Sequence, residues 1–311
     1  MSWLSREEPQ DCLECPADVE MTIVPRTVDI GNFEVHRALP FHARRLVGPF
    51  IFWDQMGPGH FPGGKGVDVR PHPHIGLSTV TYLFDGSLDH KDSLGNDQRI
   101  VPGDVNLMRA GRGIVHSERT GTDVRSRPSA LSGIQSWLAQ PKTGEEGPPA
   151  FVQVKAAEIP FFEADGISIH LILGEFQNYR SPVPTQWETL YAIVKMSKGA
   201  SMDIPGTTEE RALYLAEGRI EIGGIECGNR RLMLVLRPGR NVPVKAVDEA
   251  SLILLGGAAM DGPRYIWWNF VSSSVDRIRQ AAADWKSGKF AIVPGDEKEF
   301  IPLPDLPFPN P

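Results

Sequence analysis

Two short pairs of side chains in this sequence are of the types that bind metal ions. His72 and His74 are two residues apart in PHPHIG, and His116 and Glu118 are two residues apart in GRGIVHSE. Side chains at positions i and i+2 of a β-strand point to the same face. Each pair can therefore present two ligands to one point, and two neighbouring strands would bring three imidazoles and one carboxylate together.

The ligand types in these pairs indicate which ions could bind. Imidazole and carboxylate together suit Fe(II), Mn(II), Zn(II), Ni(II) or Cu(II), and they exclude an all-sulfur site. Four protein ligands around an octahedral ion leave two positions open for a substrate or O2. A single histidine in a strand is more often a packed or surface residue, so the hypothesis depends on the presence of both pairs.

Strands must position the two pairs. Pro71 and Pro73 favour an extended backbone, and because they lack N–H groups they place the first pair near the edge or mouth of a sheet. The β-branched and aromatic run LSTVTYLFDG is typical of a strand, and a hairpin with Leu94-Gly95-Asn96 at its tip follows it. IQSWLA and FVQV predict further strands.

Composition favours a turn-rich β protein of about two domains. The 311 residues include 31 Gly and 27 Pro, which argues against a helical bundle, and 41% are hydrophobic, which is enough for a sizeable core. A net charge of −7 gives no general attraction to nucleic acid or anionic membranes. With three cysteines, no apolar run in the first fifteen residues and no run of about 18 apolar residues, we expect a cytoplasmic protein without a membrane span.

The polar segment QPKTGEEGPP, residues 140–149, is predicted to be a loop or linker between domains at 1–150 and 151–311. Residues 57–66 contain five glycines and are predicted to form another loop. Helical spacing of apolar residues predicts an amphipathic helix over about 274–286, and a proline-rich extended tail follows it.

The second half of the chain repeats a motif of the first. VTYLFDG at 80–86 matches ALYLAEG at 212–218, at an offset of 132 residues. The match is consistent with two similar β units, although any two β-rich segments share such patterns, so chance similarity stays open as the alternative.

The segment from Arg70 to Thr120, with the region VGPFIFWDQMGPGHF upstream, resembles the pirin family of the cupin superfamily. The cupin pattern has an HxH pair, to which His72 and His74 correspond, and a later histidine, to which His116 corresponds. The intervening PGD-type turn corresponds to residues 102–104. The likeness continues weakly through the C-terminal half and so covers most of the chain.

The resemblance also implies the fourth ligand. Where cupins and many pirins have a glutamate shortly after the HxH pair, this sequence has Ser78. Pirins instead place a glutamate two residues after the last histidine, and Glu118 stands there. The implied cofactor is one divalent metal, Fe(II) before the others, with Mn, Ni, Cu, Co or Zn as alternatives that the ligand set accepts.

The fold implied by the resemblance is all-β: a bicupin of two face-to-face jelly-roll β-barrels with a short C-terminal amphipathic helix. The metal is expected in the N-terminal barrel alone. Adding the offset of 132 to His72 and His74 gives Ile204 and Gly206, and neither can bind a metal. The C-terminal barrel is therefore expected to be metal-free.

The implied function is that of a quercetin 2,3-dioxygenase, which opens the central ring of a flavonol with O2 and releases CO. Glu118 would be both ligand and catalytic base, and the partners would be a small aromatic hydroxy substrate and O2. The alternative is a non-enzymatic protein whose iron redox state regulates binding to a protein partner.

Three other residues have possible roles. Cys12 and Cys15 form a CLEC motif, which is half of a zinc site or a redox pair, with no second pair to complete zinc binding. His90 lies between the two ligand pairs, where contact with a ligand or substrate is possible.

Overall fold

The computed structural model describes residues 16–30, 33–228 and 231–309. Cys12 and Cys15 lie outside these residues. The described chain is built of antiparallel strands arranged in two similar units.

The first unit pairs a seven-stranded sheet, in the order β12-β9-β6-β11-β4-β3-β2, with a four-stranded sheet, in the order β5-β10-β7-β8. Its strands are β2 Arg26–Asp29, β3 Glu34–Leu39, β4 Phe50–Phe61, β5 Asp68–His74, β6 Leu77–Asp85, β7 Leu88–Asp92, β8 Asp97–Ile100, β9 Val105–Arg109, β10 Ile114–Arg119, β11 Ser129–Ala139 and β12 Ala150–Val154. A four-residue helix, α1, spans Thr122–Arg125.

The second unit repeats this plan with sheets in the orders β1-β22-β19-β24-β17-β14-β13 and β18-β23-β20-β21. Its strands are β1 Val19–Ile23, β13 Phe161–Ala164, β14 Ile167–Leu173, β17 Thr189–Met196, β18 Ser201–Ile204, β19 Glu210–Glu217, β20 Arg219–Ile222, β21 Ile225–Gly228, β22 Leu232–Leu236, β23 Val242–Ala246 and β24 Ala250–Gly257. The remaining elements are the hairpin strands β15 Glu175–Phe176 and β16 Tyr179–Arg180, the hairpin strands β25 Tyr265–Trp267 and β26 Phe270–Ser272, a 3-10 turn at Ala156–Glu158, and helix α2 Val275–Lys286.

The two barrels face each other through their seven-stranded sheets. One buried cluster combines aromatic side chains of both sheets, Trp53 and Tyr82 from the first and Tyr191 and Tyr214 from the second. The Trp53 and Tyr191 rings are 5.4 Å apart. The fold is thus the all-β bicupin that the resemblance implied, with the repeated motif on strands β6 and β19 at equivalent places in the two sheets.

Strand pairing departs from the predicted division at residue 150 in two places. β12 pairs with β9, so the first unit continues to Val154, and β1 pairs with β22 of the second unit. The segment 140–149 is not a free linker, because Gln140 and Glu145 within it are buried. Edge strands pair with residues far away in sequence, and local composition does not encode such partners.

The predicted loop at 57–66 is wrong for its first half. β4 continues to Phe61 and stays paired with β11, with Phe61 opposite Ser129. A register shift between Leu131 and Gly133 of β11 lies opposite this region. The glycines therefore accompany an irregularity within the strand rather than its end.

The C-terminal segment returns to the first barrel. Helix α2 begins at its N-cap Ser274, whose side chain accepts from Arg277 N, and it buries Val275, Ile278, Ala281 and Ala282. Phe270 of β26 bridges to Ile75, and Ile301 N of the tail donates to Pro71 O on β5 at 2.8 Å. The predicted helix is confirmed, and it packs against the barrel that carries the histidine pairs.

The close approach of β26 to the first barrel requires a glycine at position 76. Gly76 has φ +65°, and a Cβ at this position would lie 2.0 Å from Val271 O.

Neither helix within the described residues has the length and apolar character of a membrane span.

Candidate metal centre

Strands β5 and β10 bring the predicted ligand pairs together. They are antiparallel neighbours with His72 opposite His116. Ligand nitrogens of His72, His74 and His116 all lie within 4.8 Å of one another, and the three side chains are buried. Side-chain alternation along the strands therefore brings together the three imidazoles of the predicted set, and the fourth predicted ligand, Glu118, is not in this group.

Glu118 lies beside His116, outside the group of three imidazoles. A register shift in β10 falls between His116 and Glu118. The Glu118 carboxylate forms a second close group with His116 and His90, again within 4.8 Å. His90, on the neighbouring strand β7, therefore lies next to the candidate ligands. Its position between the two pairs in the sequence made such a contact possible but did not show which side chain it would contact.

Two backbone carbonyls orient the first histidine pair. His72 Nδ1 donates to Arg70 O at 2.9 Å, and His74 Nδ1 donates to Asn269 O at 3.1 Å. Because a carbonyl oxygen only accepts, each Nδ1 carries the proton and each Nε2 keeps a lone pair. Nε2 is then the atom through which either ring can bind a metal.

The spacing of the nitrogens fits a divalent ion. His74 Nε2 and His116 Nε2 are 3.1 Å apart, and the His74 atom has a lone pair that needs a positive partner. Two nitrogens that each lie about 2.1 Å from one ion, at a right angle, are about 3 Å apart. The imidazole and carboxylate groups present are also the donors that such ions prefer.

Burial keeps the three imidazoles neutral. It lowers the pKa of His72 to about 4, although the hydrogen bond to Arg70 acts in the opposite direction. The pKa values of His74 and His116 are lowered well below the usual value, by burial first and then by the repulsion between neighbouring imidazoles when more than one is protonated. Neutral imidazole is the form that binds metals, so the rings are available as ligands at neutral pH.

These shifts predict a loss of stability in mild acid for the metal-free protein. Between pH 6.5 and about 4 the unfolded chain protonates His72, whereas the folded chain does not, so the free energy of unfolding falls as pH falls. His72 alone contributes about 3 kcal/mol over this range. Glu118, whose pKa burial raises, acts in the opposite direction and offsets part of the loss.

Urea unfolding of the metal-free protein at pH 7, 5.5 and 4.5 measures this effect. Between pH 7 and 4.5 the free energy of unfolding is expected to decrease less in His72→Asn than in the unchanged protein. In His42→Gln, at an exposed position, it is expected to decrease as much as in the unchanged protein. Equal decreases in all three proteins would contradict the assignment.

The equivalent positions of the second barrel are apolar. β18 and β23 occupy the places of β5 and β10, and they bury Ile204, Val242 and Val244. Among residues 16–30, 33–228 and 231–309, close groups of three potential ligands lie in the first barrel only.

Several neighbours of the site had no signal in the sequence. Asn269 reaches His74 with a main-chain oxygen, from a turn in which Trp268 has φ +54°. The Trp137 ring lies 5.1 Å from the His74 ring, and Phe52 stacks on Trp137 at 4.1 Å. A backbone contact across 195 residues leaves no pattern in residue type, and the two aromatic rings were not distinguishable from ordinary core residues.

Fold and site together define a bicupin with a candidate metal centre in its first barrel. The family model described as Pirin matches residues 32–138, and the model described as Pirin C-terminal cupin domain matches residues 191–291. A Pirin-like protein of Caulobacter vibrioides is 46% identical over 290 residues, which cover 92% of this chain and 100% of the relative. The chain belongs to the pirin family.

Two further relatives extend the comparison. Pirin of Homo sapiens is 30% identical over 281 residues, which cover 87% of this chain and 93% of the relative. The crystal structure of quercetin 2,3-dioxygenase from Acinetobacter baumannii has a TM-score of 0.85 at 31% identity and covers 92% of this chain and 95% of that one.

Proposed function

We propose that this protein is a metal-dependent dioxygenase that opens the central ring of a flavonol such as quercetin, with consumption of O2 and release of CO. The observation that carries the proposal is the buried group of His72, His74 and His116, which shares His116 with a second buried group of His90, His116 and Glu118. Similarity to the crystallised quercetin 2,3-dioxygenase supports the substrate class.

His72, His74, His116 and Glu118 are the proposed ligands of one divalent ion. Fe(II) is our first choice, and Mn, Ni, Cu, Co and Zn are the alternatives that imidazole and carboxylate accept. When bound, the ion supplies Lewis acidity that lowers the pKa of a coordinated hydroxyl group and aids reaction with O2. The cytoplasmic location and the absence of a nucleic-acid partner stay predictions from composition.

Glu118 is the proposed proton acceptor for the flavonol hydroxyl. Its carboxyl is buried, and in the metal-free protein burial raises its pKa. Thr81 Oγ1 lies 3.5 Å from Glu118 Oε1 and 2.6 Å from Gln135 Oε1. These neutral partners hold the carboxylate beside the histidines without adding a charge.

Two buried aromatic rings lie beside the histidines. Trp137 meets His74 edge to face, and Phe52 stacks on Trp137 with 15° between the ring planes.

The deciding experiment loads the metal-free protein anaerobically with Fe(II), removes unbound iron, and then follows quercetin loss, O2 uptake and CO release. We expect stoichiometric CO and a rate above that of the same concentration of free Fe(II). The metal-free protein and the protein loaded with Zn(II), which has no redox chemistry, are the controls. No turnover above free iron, with iron bound to the protein, would disprove the proposed activity.

A second candidate is an iron-dependent regulatory protein. One contact favours it: the His74 ligand is bonded to Asn269 of the C-terminal segment, so a change at the metal can reach a distant part of the chain. Affinity capture with the Fe(II) and Fe(III) forms, prepared under matched conditions, discriminates the two functions. A set of bound proteins that depends on oxidation state, without flavonol turnover, would support regulation.

A further inference from the structure

His90 and Asp92 form a buried polar pair that the proposed ligand set does not use. Both lie on β7, which pairs with β10 so that Asp92 is opposite His116 and His90 is opposite Glu118. Their side chains are 2% and 0% exposed. A histidine and a carboxylate buried this deeply need a reason to be there, because burial of polar groups is costly unless they are well bonded.

Asp92 is held as an acceptor by several donors at once. Its Oδ1 accepts from Leu94 N at 2.9 Å and from Asn96 N at 3.1 Å, and its Oδ2 accepts from Asn96 Nδ2 at 2.8 Å. These groups belong to the tip of the β7–β8 hairpin. The same Oδ2 lies 3.2 Å from His90 Nε2. An ionised carboxylate can only accept, so the His90 proton resides on Nε2.

The remaining nitrogen of His90 faces His116. His90 Nδ1 and His116 Nδ1 are 3.4 Å apart. Because His90 carries its proton on Nε2, its Nδ1 accepts, and His116 must donate from its own Nδ1. The His116 Nε2 atom is then left with a lone pair, 3.1 Å from His74 Nε2. Phe151 stacks on the His90 ring at 4.5 Å and fixes its plane.

We propose that Asp92 and His90 are positioning residues that set the tautomer and orientation of His116, so that its Nε2 faces the metal. His72 and His74 obtain the same orientation from backbone carbonyls, and His116 obtains it from a histidine–carboxylate pair. The inference rests on the proposed metal site, but it concerns hydrogen bonds that exist before any metal binds. It assigns His90 to the support of a ligand and not to the ligands themselves.

The test starts with the metal-free protein labelled with ¹⁵N at histidine. Two-bond ¹H–¹⁵N spectra report which ring nitrogen carries the proton, and we expect His116 as the Nδ1–H tautomer. In Asp92→Asn, the side-chain amide can donate to His90 Nε2, which moves the His90 proton to Nδ1 and forces His116 to the Nε2–H form. Observation of the Nε2–H tautomer in the unchanged protein would overturn the proposal.

Metal affinity gives the second readout, with Co(II) as the probe and a chelator in competition. Loss of a residue that supports a metal-binding histidine typically weakens affinity about 10- to 100-fold. We expect His90→Leu to fall in this range and His90→Gln, whose amide oxygen can accept from His116, to be closer to the unchanged protein. Lys91→Gln is the matched control, because Lys91 lies between His90 and Asp92 on β7 with a partly exposed side chain.

The Co(II) spectrum and stoichiometry separate support from direct ligation. One Co(II) per chain, with the same absorption spectrum in His90→Leu at saturation, is expected. Two Co(II) per chain, or a spectrum that loses a ligand in His90→Leu, would make His90 a ligand and overturn the proposal. Unchanged Co(II) affinity in His90→Leu would also overturn the positioning role, even if flavonol turnover is found. If the affinities change as expected but no flavonol turnover is found, the result counts against the dioxygenase activity and not against the positioning role.

Discussion

Replacement of His72 by alanine is expected to abolish flavonol turnover and to weaken metal binding by more than about 100-fold, since loss of a ligand exceeds the effect of losing a supporting residue. The protein should still fold. His72 is one buried ring among three, and β5 keeps its pairing with β10 and its bond to the tail through Pro71 O. Activity assays, metal analysis and thermal melts of the same samples test this.

The melts must compare metal-free proteins, because a bound metal stabilises the folded state by mass action and its loss alone would lower the melting temperature of the variant. His42→Ala, at an exposed position, is the control and should keep both metal and activity. If the metal-free variant were unfolded, the site would be structural and the dioxygenase proposal would lose its basis.

The largest effect on stability is expected for Glu145→Ala. Glu145 Oε1 forms an ion pair with Arg264, 2.8 Å from its Nε, and the Arg264 side chain is fully buried. The carboxylate also accepts from Ser273 N and Ser273 Oγ, each at 2.8 Å. Removal of Glu145 takes away one of the two carboxylates paired with a buried guanidinium, and breaking a buried pair costs about 3–5 kcal/mol. Asp261 keeps its own bond to Arg264 and limits the loss.

Glu146→Ala is the matched control for this prediction. Glu146 pairs with Arg277 at 2.7 Å, but both side chains are partly exposed, at 57% and 23%. Such a pair contributes about 0–1 kcal/mol. The decrease in the free energy of unfolding, measured with urea, should therefore be several-fold larger for Glu145→Ala than for Glu146→Ala. Comparable losses would show that the segment 140–149 is not anchored through Arg264.

The candidate ligands could be grouped from sequence because their signal is local. Spacing of two residues fixes the face of a strand, so residue type and spacing alone group His72 with His74 and His116 with Glu118. Helix α2 was predictable for the same reason, since its apolar residues recur at helical spacing and Ser274 supplies a cap. Both signals arise from neighbours along the chain.

What sequence did not predict depends on backbone atoms and on distant pairing. The carbonyl of Asn269 orients His74 whatever side chain stands at 269, so residue type carries no trace of the contact. β1 pairs with β22, more than 200 residues away, and its own sequence is that of an ordinary short strand. The role of His90 also required measured distances, because position between two ligand pairs does not specify which ring nitrogen faces His116.

The return of the C-terminal segment to the first barrel bears on the order in which the protein matures during synthesis. A nascent chain generally folds from its N-terminal end as it leaves the ribosome. Here Asn269, which holds His74, and Ile301, which bonds to β5, emerge after both barrels have been synthesised. The candidate site can therefore reach the geometry described here only after residue 301 has been synthesised, well after the strands that carry its histidines.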